Sequence, residues 1–439
     1  MSLVDIVITG EYFYEEPRKF ELGRIVPNLG AGLTPQELGI SETIAPLEIL
    51  KPHIIDPHVE HLRRHNPGRL EEIAAAEALM NAYAEQRRID GSWNLEPGTP
   101  YVDLNGETLR STSWGDPVSR ERFLGPERIL DKSVQIWATN IPGAGALVPL
   151  SDPTYAQTIT GLDENRQPTT VEMTDTAREW MTGCTDALGI RNRNTILAEE
   201  TRALIDTYAV SHPDEQILMV SVAAGTLLPT LQAAINSGHD HRIRIVMLEN
   251  NPSSIEMAHG FAEELGFQGV LDIRKVDVFD PTSMEEQLGE LEGKALSVDA
   301  EGIFEYVNEG LHKKLGGRFA PGYMLFDPIT FFSTINRFTR EEGQLNIGQM
   351  RDDRPNSDFT RGVIGWPYIV QRSPEELMQI MIAGGADPKD VRLIVTPDGV
   401  YTMASIRKPG GEPAPSSDTG TRSRRHLRIV EETINVALL

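Results

Sequence analysis

The segment Ile217–Leu228, ILMVSVAAGTLL, and the acid in IRIVMLENNP constrain the fold of this chain more than any other feature. An apolar run that ends in small residues predicts a buried strand that turns tightly into a helix. A second apolar run, Ile243–Leu248, stops at Glu249, which lies 24 residues beyond Gly225. An acid at about this spacing, on the tip of the second strand, is typical of sites that hold a ribose. The pattern predicts a nucleoside-binding crevice, with an ordinary strand-to-helix turn as the alternative.

The turn lacks the three glycines of a dinucleotide-binding fingerprint. Gly225 is its one glycine, with Ala223 and Ala224 before it and Leu227 after it. A pyrophosphate needs close backbone approach at a helix N-terminus, and Leu227 and Leu228 would crowd it there. We therefore expect a ligand without phosphates.

Length and composition fit a globular chain with more than one folded unit. Its 439 residues, 39% hydrophobic and 24% charged, are enough for two domains and their connections. No apolar run approaches the roughly 18 residues that span a bilayer, and the N-terminus lacks the features of a signal peptide. Cys184 is the only cysteine, which excludes an internal disulfide and a cysteine-based metal site. We expect a cytoplasmic protein.

The charge balance is strongly acidic, with 41 basic and 65 acidic residues and a net charge of −24. Such a surface repels phosphate backbones. The densest basic segment, Arg422–Arg428, is expected to be a solvated helix start. His239 and His241 flank Asp240 without a further clustered ligand, so we assign no metal. We expect a small-molecule substrate and neither nucleic acid nor a membrane as partner; a homodimer is left open.

The pattern of strand-like, helical and turn residues divides the chain into three regions. Residues 1–170, with short strand-like pieces and many turn residues, are expected to form a mixed α+β accessory domain. Residues 171–408 alternate strands and helices, which predicts an α/β fold with a parallel sheet and helices on both faces. Ligands in such sheets bind beyond the carboxyl ends of the strands, where the strand order switches. Residues 409–439 are expected to be a linker and a docking segment.

The end of the α/β region has features of its own. Val391–Thr396 and Val400–Ile406 flank a Pro-Asp-Gly turn, which predicts an antiparallel hairpin that closes the sheet. Tyr323–Phe326 is predicted to be the fifth strand. The polar stretch Thr339–Trp366 is then a long insertion, and we expect a lid or binding loop there, with disorder as the alternative.

In this order the segments resemble the class I S-adenosylmethionine-dependent methyltransferases, a Rossmann-like family. Ile217–Thr226 looks like the first motif, Glu249 matches the ribose acid, and Asp277 in RKVDVFD matches the acid near the adenine amine. ALSVDAEGIF occupies the fourth-strand motif, RFAPGYMLFDP looks like the fifth strand, and the hairpin closes the sheet. The resemblance covers roughly Ile217–Pro409, under half the chain, and implies S-adenosylmethionine as cofactor. It implies these cofactor-binding residues: Ser221, Ala223, Gly225, Glu249, Asn250, Asp277, Val278 and Asp299.

The departures from the family pattern also bear on function. The family usually carries an acid where Ser221 stands and more glycines in the turn, where Ala223 is tolerated if its φ is negative. The fourth strand lacks the Asn/Asp-Pro-Pro-aromatic signature of enzymes that methylate amines of nucleobases or glutamine. Its absence weakens a nucleic-acid or protein N-methylation function. Leu227 and the glycine-poor turn favour a rival, a non-catalytic or regulatory protein that keeps the fold and binds a nucleoside or a partner chain.

A general base helps methyl transfer to an amine or hydroxyl, because the nucleophile must lose a proton. The candidates are the acids just past the fourth strand and the predicted fifth strand: Asp299, Glu301, Glu305 and Asp327. Each has the alternative of a helix cap or a surface carboxylate. We choose Glu301 first, because Gly302 opens space beside it, and keep Asp327 as the other catalytic candidate.

The expected function is S-adenosylmethionine-dependent methyl transfer to an N or O nucleophile of a small molecule. The Glu249–Asp277 pair favours an enzyme over the rival, since two acids at cofactor-contact positions have no evident structural purpose. Aminopropyl transfer, or another use of the same sulfonium, stays open. Four aromatic residues near the predicted site are candidates for a substrate pocket, and we expect at least two to be core instead: Phe304, Tyr306, Phe331 and Phe332.

Overall fold

The structure is a computed structural model. It describes residues 13–14, 18–20, 47–89, 100–102, 108–110, 158–162, 168–172, 174–307, 327–359 and 370–408. The predicted fifth strand Tyr323–Phe326, the basic segment Arg422–Arg428 and the predicted linker and docking segment lie outside the described residues, as does most of the predicted accessory domain.

Fifteen strands and ten α-helices are assigned within the described residues. The strands are β1 Phe13–Tyr14, β2 Arg18–Phe20, β3 Leu47–Leu50, β4 Pro52–His53, β5 Pro100–Val102, β6 Thr108–Arg110, β7 Thr158–Leu162, β8 Pro168–Glu172, β9 Ile217–Val222, β10 Ile243–Glu249, β11 Val270–Lys275, β12 Ala295–Glu301, β13 Thr339–Met350, β14 Val391–Val395 and β15 Tyr401–Arg407. The helices are α1 Pro57–His65, α2 Pro67–Ile89, α3 Asp175–Gly183, α4 Thr185–Ser211, α5 Leu228–Asn236, α6 Pro252–Glu264, α7 Pro281–Leu291, α8 Pro328–Phe338, α9 Ser357–Phe359 and α10 Pro374–Ala383.

Several helix starts follow from one local signal, an Asp or Ser directly before a proline. The side chain accepts backbone N–H bonds of the first turn, and the proline that follows has the helical φ already set. The capping residues of α1, α7, α8 and α10 are Asp56, Asp280, Asp327 and Ser373.

The main sheet has nine strands in the order β11-β10-β9-β12-β13-β15-β14-β3-β2. The strands from β11 to β13 are parallel, and β15 is antiparallel to both of its neighbours. The expected parallel sheet and its closing hairpin are therefore present. Strand order reverses between β9 and β12, so the carboxyl ends of these two strands border the crevice in which such sheets bind ligands.

The fifth strand of this sheet is Thr339–Met350, so the prediction of a lid or binding loop over these residues is wrong. From Gly343 onward every residue of the strand is buried. Leu345 and Ile347 belong to the hydrophobic core, and the polar side chains between them find partners: Asn346 Oδ1 accepts from Gln344 Nε2 at 2.8 Å and from Ser405 Oγ at 2.7 Å. Because these partners come from different strands, the local sequence showed only a polar stretch.

Hydrophobic clusters cover both faces of the sheet. On one face, Val220 and Val246 pack with α7, α8 and α10. On the other, Met219 and Ile245 pack with α4, α5 and α6. Adjacent residues of each strand thus bury opposite faces, as expected for a sheet between two helical layers.

Helix α4 crosses the sheet beside β12, β13 and β15. A Cβ at Gly189 would lie 2.5 Å from Val400 Cβ, so glycine permits the close approach of this helix to the hairpin. This packing carries the side chain of Arg193 to the carboxyl end of the sheet.

Residues from the predicted accessory domain contribute to the main sheet and its packing. Strand β3 pairs with β14, and β2 pairs with β3. Arg191 Nε of α4 forms a buried ion pair with Asp56 Oδ2 at 2.7 Å. Glu77 Oε1 of α2 accepts from Thr185 N at 2.8 Å. Residues 47–89 are thus joined to the α/β region across the predicted boundary at residue 170. None of the helices in the described ranges is both long and apolar enough to cross a membrane.

Candidate functional site

A cavity of about 90 Å³ lies beyond the carboxyl ends of β9 and β12. Its lining comes from the turn after β9, from α4 and α5, from the end of β12 and from β15. The lining residues are Ile190, Arg193, Asn194, Leu197, Ala223, Ala224, Gly225, Thr226, Pro229, Thr230, Asp299, Glu301, Gly302, Glu305, Tyr306 and Tyr401. Of the residues predicted for the site, these meet at this cavity: Ala223, Gly225, Asp299, Glu301, Glu305 and Tyr306.

The turn after β9 has left-handed backbone at three of its residues. Ala223, Gly225 and Leu227 have φ of 51°, 54° and 59°. The condition set for Ala223, a negative φ, is not met, and a left-handed non-glycine residue costs roughly 1–2 kcal/mol. A Cβ at Gly225 would project into open space. The chain makes the tight turn with one glycine and carries the strain at the other two positions.

Leu227 does not crowd the crevice, contrary to the expectation from its position after the turn. Its side chain is 1% exposed and belongs to the core cluster that contains Leu204, Tyr208 and Phe261. The left-handed backbone at Leu227 directs its side chain into this core.

A buried carboxylate joins the two central strands. Asp299 is the register partner of Ser221 across β12 and β9. Ser221 Oγ donates to Asp299 Oδ1 at 2.5 Å, and Thr230 Oγ1 donates to Oδ2 at 3.1 Å. Burial raises the pKa of Asp299 to about 6, and the two hydroxyl bonds and the Arg193 charge lower it against that effect. Where the resemblance leads one to expect an acid on the first strand, this chain has a serine bonded to an acid on the fourth.

Glu301 lines the cavity, and few neighbouring groups offset the cost of burying its carboxylate. Its side chain is 6% exposed, and the nearest cation is Arg193, with Nε 3.4 Å from Oε2. Neither carboxylate oxygen has a hydrogen-bond partner among the described residues. Burial holds the pKa of Glu301 well above its usual value; Arg193 lowers it, while Asp299 and Glu305 raise it further.

Arg193 packs on the ring of Tyr401 and fits into the space beside Gly302. Its guanidinium carbon lies 4.7 Å from the centroid of the Tyr401 ring, a cation–π distance. At Gly302, whose φ is 74°, a Cβ would come within 2.9 Å of Arg193 Nη1. Neither Arg193 nor Tyr401 was predicted, since the helix and the hairpin that carry them meet only in the fold.

Glu305 is held by a backbone hydrogen bond from β13. Its Oε1 accepts from Met350 N at 3.2 Å. Burial raises its pKa, and the charges of Arg193, Arg354 and Arg372 lower it against that effect. Arg372 is itself buried, donating to Phe304 O at 3.0 Å and to Val307 O at 2.7 Å.

Four predicted cofactor-binding residues lie on the neighbouring strand ends, outside the set that lines the cavity. Glu249 Oε2 accepts from Gly225 N at 3.2 Å, and Oε1 accepts from Asn250 N at 2.8 Å and Asn251 N at 2.9 Å. Glu249 thus has a structural purpose that the sequence did not reveal: it ties the end of β10 to the turn after β9. Asp277 is half-buried and accepts from Phe279 N at 3.0 Å; desolvation raises its pKa. Val278 is buried in the core.

Asp327 is placed differently from the prediction. It caps α8, with Oδ1 accepting from Ile329 N at 3.0 Å and Thr330 N at 2.9 Å. It precedes β13, which begins at Thr339. It is not among the described residues that line the cavity.

The predicted aromatic pocket divides as expected between core and cavity. Phe304, Phe331 and Phe332 are fully buried in the core, and Tyr306 lines the cavity. No cluster of three or more potential metal ligands occurs within the part of the chain that the structure describes.

Comparison by sequence finds no matching protein-family model and no matching curated protein. Solved structures do show likeness. A "possible exported protein" from Bordetella parapertussis is 13% identical over 77% of this chain and 97% of its own, with a TM-score of 0.43. An O-methyltransferase family protein from Burkholderia thailandensis is 14% identical over 53% of this chain and 61% of its own, with a TM-score of 0.36. A SAM-dependent methyltransferase from Aquifex aeolicus is 11% identical over 48% of this chain and 97% of its own, with a TM-score of 0.30.

The strand order and the closing hairpin define the class of the α/β region as a mixed sheet that is parallel from β11 to β13 and closed by an antiparallel hairpin. Its candidate site is the acid-lined cavity at the switch in strand order.

Proposed function

We propose that this chain transfers a methyl group from S-adenosylmethionine to an N or O nucleophile of a small molecule. The observation that carries the proposal is the cavity itself. It places the tight turn after β9 on one side and the under-compensated carboxylate of Glu301 on the other, at the strand ends where such sheets bind ligands.

The residues around the turn suit a nucleoside without phosphates. A carboxylate has about four acceptor sites, and Glu249 uses three of them on backbone N–H groups. One acceptor is left for a ribose hydroxyl. We assign the adenine amine to Asp277, which is half-buried just beyond the end of β11. Gly225 leaves the space beside the turn open.

Glu301 is the proposed general base. Bound S-adenosylmethionine supplies an electrophilic methyl group, and the chain has to align the nucleophile and accept its proton. A base works best when its pKa lies near the working pH, and burial moves the pKa of Glu301 upward from its usual value. Arg193 Nε lies 3.4 Å from Glu301 Oε2. Its positive charge orients Glu301 and stabilises the ionised carboxylate.

The rival function loses the observation that favoured it. Leu227 packs in the core, and the glycine-poor turn forms through left-handed alanine and leucine. The cytoplasmic location, the accessory domain of residues 1–170 and a homodimer remain predictions.

The test is calorimetric titration of the full chain with S-adenosylmethionine and with S-adenosylhomocysteine. We expect micromolar binding of both, followed by methyl transfer in a screen of small amines and alcohols. No binding of either compound at millimolar concentration would exclude the proposed function.

A further inference from the structure

The charges that line the cavity do not balance. Three carboxylates, from Asp299, Glu301 and Glu305, meet one guanidinium, from Arg193, which is the only cation among the described lining residues. Buried charges in proteins are ordinarily paired and hydrogen-bonded, because desolvation is costly. The imbalance therefore leaves room for a cationic ligand at an acid that lacks a hydrogen-bond donor.

Two of the three carboxylates are accounted for by their neighbours. Asp299 accepts hydrogen bonds from Ser221 and Thr230. Glu305 accepts from Met350 N, and the charges of Arg193, Arg354 and Arg372 lower its pKa.

Glu301 is the exception. Its side chain is 6% exposed, and within the described ranges neither of its oxygens accepts a hydrogen bond. Arg193 Nε, at 3.4 Å, likewise makes no hydrogen bond to a described residue. The pair is thus an ion pair without a hydrogen bond, and both oxygens of Glu301 are available to a donor that enters the cavity.

We propose that the cavity binds a small organic monocation, a protonated aliphatic amine whose N–H groups donate to Glu301. Asp299 and Glu305 accept hydrogen bonds from the chain, so among the lining residues one carboxylate, that of Glu301, is left for a single positive charge. The apolar side chains of Ile190, Leu197 and Pro229 line the same cavity and suit an alkyl group.

The site can also convert the bound cation into a nucleophile. The N–H bond breaks, its electron pair stays on nitrogen as a lone pair, and the proton passes to a Glu301 oxygen. The carboxylate becomes a carboxylic acid and the ammonium becomes a neutral amine, so charge and atoms balance. Naming this amine as the methyl acceptor rests on the proposed function, whereas the cation site itself does not.

Calorimetry of the full chain without S-adenosylmethionine tests the cation site near neutral pH. The probes are butylammonium, with butan-1-ol as a neutral isostere and butyrate as an anion of similar size. We expect butylammonium to bind at least about tenfold more tightly than either, a margin set by a charge-assisted hydrogen bond.

Variants of two acids show which carboxylate causes the preference for butylammonium. Glu301→Gln should remove the preference for butylammonium, and Glu301→Asp, which keeps the charge, should retain most of it. Asp327→Asn is the matched control: it neutralises an acid that caps α8, and Asn is an equally good cap, so the preference should persist. Circular dichroism and thermal unfolding establish that each variant is folded.

The proposal is overturned if butylammonium shows no saturable binding, if butan-1-ol or butyrate binds as tightly, or if folded Glu301→Gln keeps the preference. Titration of the same samples with S-adenosylmethionine separates the two proposals. Cofactor binding without amine preference removes the cation site and leaves methyl transfer standing. Amine preference without cofactor binding excludes methyl transfer from S-adenosylmethionine and leaves the cation site standing.

Discussion

Ser221 and Asp299 face each other at one register position of two parallel strands, and the serine hydroxyl donates to the aspartate over 2.5 Å. The two residues are 78 positions apart in the chain. Their bond fixes a buried carboxylate at the switch in strand order, between the turn after β9 and the acids at the end of β12. The site therefore depends on a pairing that neither strand shows alone.

Asp299→Asn should change how stability depends on pH. The folded pKa of Asp299 is about 6, against roughly 3.9 for an unfolded aspartate. Between these values the folded state binds more protons, so the parent loses unfolding free energy as pH rises, by about 3 kcal/mol over the window. The variant lacks this loss. Urea unfolding of both proteins at several pH values from about 4 to about 7 measures the difference.

Asp214→Asn, at an exposed loop position, serves as control for that experiment. If the difference between parent and Asp299→Asn stays flat across the window, Asp299 is not the titrating group. The same holds if the control follows the same trend.

Glu301→Gln should lower kcat/KM for methyl transfer by roughly 10²–10⁴-fold, the usual contribution of a general base. It should also remove the acidic limb of the pH–rate profile, since that limb reports protonation of the base. Asp327→Asn should leave both unchanged, because asparagine also caps a helix. Steady-state kinetics over a range of pH distinguishes the two acids. A profile that keeps its acidic limb in Glu301→Gln would assign the base elsewhere.

Glu249→Gln should weaken S-adenosylmethionine binding by about 1–3 kcal/mol, the cost of losing hydrogen bonds to a charged group. It should also lower the unfolding free energy, because Glu249 holds backbone N–H groups of Gly225, Asn250 and Asn251. Calorimetry and urea unfolding measure the two effects, with Glu264→Gln on the exposed side of α6 as control. An unchanged dissociation constant would contradict the ribose assignment.

Leu227→Ala should destabilise the protein without affecting the crevice. Removing a fully buried leucine side chain costs about 2–5 kcal/mol, and Leu227 lies in the core with Leu231. Leu231→Ala should behave in the same way, and neither variant should bind S-adenosylmethionine more tightly than the parent. Tighter binding in Leu227→Ala alone would mean that this side chain closes the crevice.

Backbone amides from Gly343 to Met350 should exchange slowly with solvent, at rates similar to those of β9. Both are central strands of the sheet, and their amides open only in large unfolding events. Hydrogen exchange followed by mass spectrometry measures the protection. Rapid exchange, as in an exposed loop, would restore the lid that the sequence suggested.

The main sequence signals were local and apolar, and they predicted the corresponding elements well. Ile217–Val222 and Ile243–Glu249 are strands, and the Pro-Asp-Gly turn joins the closing hairpin. Each depends on a run of residues whose burial pattern is set by near neighbours. Asp299 and Glu301 were found as candidates because they end such a run.

The polar interior was decided by tertiary structure. Gln344 and Asn346 are buried because both bond to Ser405 of the neighbouring strand. A polar side chain in the core is stable only when its partner is present, and the sequence does not show that partner. For this reason the fifth strand resembled a loop.

The sequence by itself determined the alternation of strands and helices, and with it a crevice at the carboxyl ends of the strands. Only the tertiary structure decided which groups meet there: it brought Arg193 from α4 and Tyr401 from β15 to Glu301. It also turned Leu227 into the core and used Glu249 to hold the turn. The physical reason is that apolar burial follows a local period, whereas charges and hydrogen bonds need specific partners that are distant in the chain.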